Sequence, residues 1–212
     1  MKYYEFKNIF SKLPVITTKD IYSAIENPRV LITVQLNTWQ KKGLIVKLKK
    51  GLYLLNEQDR KIHPSRIFLA NILYSPSYVS TEYALGYYGL IPEKVTDVTS
   101  VTTKKTAKFV NRLGMFIYQH VKTDLFFGFT EIKDENKLPI LIAEPEKAML
   151  DFIYLNRSEF KDQDKDIFNK SYRFQNLNIL KKKKLLGYAR RFNKKTILDI
   201  TYRLLDFITE YA

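Results

Sequence analysis

Four polar side chains between positions 33 and 41, Thr33, Asn37, Gln40 and Lys41, are of the types that read base edges in nucleic acid. Asn and Gln pair bidentately with adenine in a major groove, and a Lys ammonium donates to guanine or to phosphate. Arg29, Lys47, Lys49 and Lys50 flank them and suit phosphate contacts, which position a protein on a duplex without reading its sequence. The bland alternative is a helical pair packed on a β-ribbon with its polar face turned to water, as on most amphipathic helices. The lysines weigh against it, because they gather where a phosphate backbone would lie.

A second candidate is the four-lysine run Lys181, Lys182, Lys183 and Lys184, with Arg190 and Arg191 close behind. Most such runs are solvated faces, yet this one sits in a stretch, 170–195, with ten Lys/Arg and no acid. It is the candidate for a second nucleic-acid surface. Glu144, Glu146 and Asp151 could be imagined as metal-binding carboxylates, but complementation of a helix dipole explains the two glutamates without a metal. His63 and His120 are the only imidazoles, far apart, and there is no cysteine. Neither a disulfide nor a thiolate metal site is available, and a zinc site is not expected. No Gly-rich phosphate loop and no Ser/His/Asp or Cys/His arrangement is present, so neither catalysis nor a cofactor is expected.

The base-reading residues must be held by the stretch from Ile16 to Leu55. Thr17-Thr18 offers a hydroxyl N-cap and Asp20 an early acid, with Ile21, Ala24 and Ile25 on one helical face. After the turn Glu26-Asn27-Pro28, a second helix is expected from about Val30 to Lys42. Ile32, Leu36 and Trp39 form its buried stripe, Thr33, Asn37, Gln40 and Lys41 lie opposite, and Gly43 stops it. The period then changes. Leu44–Leu48 and Leu52–Leu55 read as strands joined by Lys49-Lys50-Gly51, where Gly51 can take the positive φ of a tight hairpin. The sum is a winged helix-turn-helix with a cationic wing tip. A first helix over Lys2–Leu13, with Tyr3, Phe6, Ile9, Phe10 and Leu13 on one side, closes its core.

Beyond a polar break the pattern is mixed, and the expected fold is α+β, with a winged helix-turn-helix over 1–58 and an α/β domain over 59–212. His63-Pro64 opens a helix to about Tyr74, Ser75–Val79 reads as a turn, and Ser80 can cap a short helix ended by Gly89. Val95–Thr103, Met115–Val121, Leu125–Ile132 and Leu138–Ile142 are strand candidates for a small mixed sheet, while Phe109–Leu113 has no clear place. Pro145 sits in the first turn of a well-marked helix. An acidic loop at 159–166 and helices over Ile179–Phe192 and Lys195–Glu210 complete the chain.

A net charge of +14 with 45% apolar residues describes a folded chain drawn to polyanions by counterion release. Residues 1–58 carry ten Lys/Arg against four acids, whereas 131–166 carries ten acids against six bases. The first ten residues lack a signal-peptide core and no run approaches a membrane span, so a cytoplasmic protein without a membrane partner is expected.

Three segments in order, KKGLIVKLKKGLY (Lys41–Tyr53), STEYALGYYGL (Ser80–Leu90) and EPEKAMLD (Glu144–Asp151), resemble the AbiEi family, the antitoxins of type IV abortive-infection toxin–antitoxin systems. The resemblance implies a winged N-terminal domain that binds its own promoter or operator DNA and represses its operon in phage defence. It also implies a C-terminal domain that antagonises a nucleotidyltransferase-like toxin without a stable complex.

Overall fold

The computed structural model describes residues 1–160 and 166–211, which build an α+β protein around two separate sheets. The first part runs α1 (Tyr3–Phe10), β1 (Ile16–Thr17), α2 (Thr18–Ala24), α3 (Arg29–Lys41), β2 (Ile45–Lys49), β3 (Leu52–Leu55). Its three strands are antiparallel in the order β1-β3-β2. Thr17 and Asp20 form a reciprocal cap: the Thr17 hydroxyl accepts the Asp20 amide at 3.1 Å, and the Asp20 carboxylate accepts the Thr17 amide at 2.8 Å. Phe6, Phe10, Ile16, Ile21, Ile32, Leu36, Trp39 and Ile45 are buried together, with the Trp39 ring 4.8 Å from Phe6.

Three apolar residues expected in this core are exposed: Ile9, Leu13 and Ala24. Helix α1 ends at Phe10 and buries only the pair Phe6 and Phe10, one turn apart. Ile9 falls off that stripe and Leu13 beyond the helix. On α2 the buried face is Ile21 and Ile25, again i and i+4, which turns Ala24 outward.

The second part contains α4 (Arg66–Leu73), β4 (Ser77–Val79), α5 (Thr81–Tyr87), β5 (Val98–Thr102), β6 (Ala107–Asn111), β7 (Gly114–His120), β8 (Phe129–Lys133), β9 (Pro139–Ala143), α6 (Pro145–Leu155), α7 (Lys182–Arg191) and α8 (Lys195–Tyr211). Its six-stranded mixed sheet has the order β6-β7-β5-β4-β9-β8. Register places Val79 and Tyr118 on one face and Tyr78 on the other. The Tyr118 hydroxyl donates to the Ala70 carbonyl of α4, and the Tyr78 hydroxyl to Asp151 of α6, so α4 and α6 cover opposite faces.

Several expectations change here. Ser77–Val79, read as a turn, is a central strand whose three residues are all buried. The unplaced Phe109–Leu113 overlaps edge strand β6, and Thr123–Leu125 is a 3-10 turn, so the strand expected from Leu125 starts at Phe129. Helix α7 starts at Lys182, after a 3-10 turn at Leu177–Ile179. Most of the acidic loop at 159–166 lies outside the described residues.

The buried apolar side chains fall into two clusters, and the β2–β3 hairpin serves both. Ile45, Tyr53 and Leu55 face the first core; Leu48, Leu52 and Leu54 join the second. Alternation along the strands puts these sets on opposite faces of the ribbon. Among the described residues no helix is long and apolar enough to cross a membrane.

Candidate nucleic-acid interface

Helix α3 follows Pro28 and ends at Lys41 with Lys42 as its C-cap, after which Gly43 takes φ +72°, the left-handed turn that stops a helix. With Ile32, Leu36 and Trp39 turned inward, Thr33, Asn37 and Lys41 are exposed. Gln40 is half-buried, because its position lies beside Leu36 on the helical wheel and not opposite the stripe. The Thr33 hydroxyl donates to the Arg29 carbonyl at 2.9 Å, which leaves its lone pairs as acceptors. Arg29 is exposed, and its guanidinium lies 4.9 Å from the Tyr22 ring.

The outer face of α3 also carries exposed apolar residues. Val30 (74% exposed) and Val34 (56%) precede Asn37 and Lys41 at helical spacing, with Leu31 alongside. Such methyl groups suit the thymine methyl of a major groove. The signal was present in the spacing 30-34-37-41, but apolar residues in an amphipathic pattern are ordinarily assigned to the core.

The hairpin reverses at Lys50-Gly51, where Gly51 has φ +81° and its carbonyl accepts the Thr18 amide at 3.0 Å. Lys50 is exposed and Lys47 half-buried. Lys49 is not free for phosphate. Its ammonium donates to the Leu73 carbonyl at the end of α4 and lies 5.8 Å from the Phe109 ring. Burial, with neighbouring Lys104, lowers its pKa. A bulge between Lys47 and Lys49 accompanies this turn toward the second part.

The second part contributes cations beside the same face. Arg112, in the β6–β7 turn, reaches Gly43: a Cβ there would lie 3.7 Å from a guanidinium nitrogen. Asn111 donates to the Leu48 carbonyl at 3.3 Å, which holds β6 along β2. Lys104 is exposed close to Lys49. No local pattern marks these residues, since contact with β2 brings them there.

The distal run is divided. Lys184 pairs with Glu144 at 2.8 Å and lies near Glu146, so it belongs to an internal ion pair. The Lys182 ammonium donates to the Thr209 hydroxyl at 3.0 Å. Arg191 stacks on Phe127 at 3.5 Å from the ring centre. Lys181, Lys183 and Arg190 are exposed.

The carboxylates at 144–151 diverge. Glu144 accepts the Tyr188 hydroxyl, Glu146 accepts the Lys181 amide at 2.9 Å, and Asp151 points into the core. Among the described residues no group of three or more His, Asp or Glu could hold a metal. Asp151 is bonded to Lys147 and accepts the Tyr78 hydroxyl at 2.9 Å and the Ser80 hydroxyl at 2.8 Å. All four side chains are buried. Burial pushes the Asp151 carboxyl up and the Lys147 ammonium down, against their mutual attraction. Ser80, expected as a helix cap, makes no such bond, because Asp151 holds its hydroxyl. The next residue, Thr81, is β-branched and has φ +52°, a strained conformation beside the quartet. Sealed from solvent, the quartet joins β4 to α6.

Fold and site together define an α+β protein with a cationic, amide-bearing helix set against a hairpin. No family model matches this chain, and comparison with curated proteins gives no match.

Proposed function

We propose that the chain is a non-catalytic, cytoplasmic DNA-binding repressor, with residues 1–58 as a winged helix-turn-helix whose recognition helix is α3 and whose wing is β2–β3. The observation that carries this reading is the placement of α3: it buries Ile32, Leu36 and Trp39, exposes Asn37 and Lys41, and runs directly into the hairpin. The order α-β-α-α-β-β with sheet order β1-β3-β2 supports it. Lys41, Lys42, Lys47, Lys50 and Arg112 would position the duplex, and Asn37 with Thr33 would read it. By the resemblance to AbiEi antitoxins, residues 59–212 would counter a nucleotidyltransferase-like toxin in a type IV toxin–antitoxin operon, without a stable complex.

Gel-shift titration on the DNA upstream of its own gene tests the repressor role. A sequence-selective, salt-sensitive shift that is altered by Asn37→Ala is expected; no selectivity over random duplex would end the reading. Co-expression with the nucleotidyltransferase-like gene expected beside it tests the antitoxin role, through rescue of growth.

A further inference from the structure

We propose that the outer face of α7 is a docking site for the phosphodiester backbone of a nucleic-acid duplex, at which Gly187 lets that backbone approach the helix between Lys183 and Arg190. The site is distinct from α3 and does not depend on the α3 reading.

Helix α7 buries Leu185 and Ala189 and turns Lys183, Gly187 and Arg190 outward at i, i+4 and i+7. Lys182 and Lys184 are engaged by Thr209 and Glu144, and Arg191 is held on Phe127. Lys183 and Arg190 are exposed, and among the described residues no carboxylate pairs with them. Two cations so placed are separated by ~10 Å along the helix, a span over which each can meet a different phosphate of the same backbone.

Gly187 is the second observation. It lies within the helix without a positive φ, and a Cβ there would meet nothing within 4 Å. Neither backbone conformation nor internal packing requires glycine, which weakens a helix relative to alanine. Its effect is external: a lowered surface flanked by two cations, into which a phosphate can settle. Tyr188, the one aromatic of α7, is turned to Glu144, so the helix offers no ring for base stacking. The chemistry is therefore that of the backbone, and a duplex presents it in regular register.

The test uses the full chain, a DNA duplex of arbitrary sequence and an RNA duplex of the same sequence, each followed by fluorescence anisotropy over a salt series. The double variant Lys183→Ala/Arg190→Ala is expected to weaken binding about tenfold and to lower the salt slope by about two. Gly187→Ala is expected to weaken binding several-fold while raising the thermal unfolding midpoint. A loss on both duplexes assigns the site to the shared backbone; a loss on one identifies which nucleic acid it serves. Affinity unchanged in either variant, or no binding of either duplex by the native chain, overturns the proposal. Lys50→Ala, run in parallel on the same duplexes, reports on the α3–hairpin surface alone, so failure there is distinguishable from failure here.

Discussion

The Lys49 ammonium donates to the Leu73 carbonyl, which fastens the tip of the β2–β3 hairpin to the C-terminal end of α4. A cation at that end also meets the negative pole of the helix. A ribbon with one face in each core is thereby held at its tip as well. The hairpin is a joint between the two parts of the molecule, and only its outer lysines remain for a ligand.

Lys49 and Lys50 should therefore behave differently although adjacent. Lys50→Ala is expected to weaken binding to all DNA sequences and to reduce the salt slope by about one. Lys49→Ala should leave the slope unchanged and lower stability by about 1 kcal/mol through the lost hydrogen bond. Denaturant midpoints and salt titrations of both variants separate the two roles; a native slope in both would show that neither lysine touches DNA, and a slope lowered equally in both would show that Lys49 meets it too.

On α3, Asn37→Ala should relax selectivity at one base position by about 1–3 kcal/mol while leaving non-specific affinity unchanged. Gln40→Ala should have the smaller effect, since its side chain is half-buried beside Leu36. Competition binding against a library of single-base operator variants gives the answer. A larger effect at Gln40 would mean that the helix meets DNA through its other flank.

The buried quartet predicts an asymmetric cost. Asp151→Ala strands the Lys147 ammonium among Phe127, Phe192 and Tyr78, and should destabilise by about 3–5 kcal/mol. Replacing both charges, as Lys147→Met/Asp151→Leu, should cost less than Asp151→Ala alone, because no unpaired charge remains. Urea unfolding of the three proteins decides; a double variant worse than Asp151→Ala would contradict the burial described.

Asp59 gives the molecule an acid-sensitive tie. Lys7, with the Tyr3 hydroxyl at 2.7 Å, holds its carboxyl below the usual carboxylate range. A depressed native value means that the stabilisation is fully present above the unfolded value of about 3.9 and is lost as pH falls through the native one. Asp59→Asn should thus lower stability at neutral pH and flatten the stability curve below about pH 4. Identical acid limbs for the two proteins would show that the tie contributes nothing.

Legibility followed distance along the chain. The Thr17–Asp20 cap, the Ile32–Leu36–Trp39 stripe and the helix begun by Pro145 were readable because each is set within a few residues. Ser77–Val79 was not, since three residues cannot display a period and burial on both sheet faces removes alternation. Ser80 carries the residue type of a cap, but its hydroxyl goes to a partner 71 positions away.

By itself the sequence determined which segments form helices and ribbon, and which face of α3 is polar, because periodicity, capping and turn chemistry act between near neighbours. Tertiary structure alone decided which cations stay available. Lys49 is 24 positions from Leu73, and Lys184 is held by Glu144 across two helices. Whether a charge faces solvent or a partner depends on what packs beside it, and that is settled only when distant segments meet.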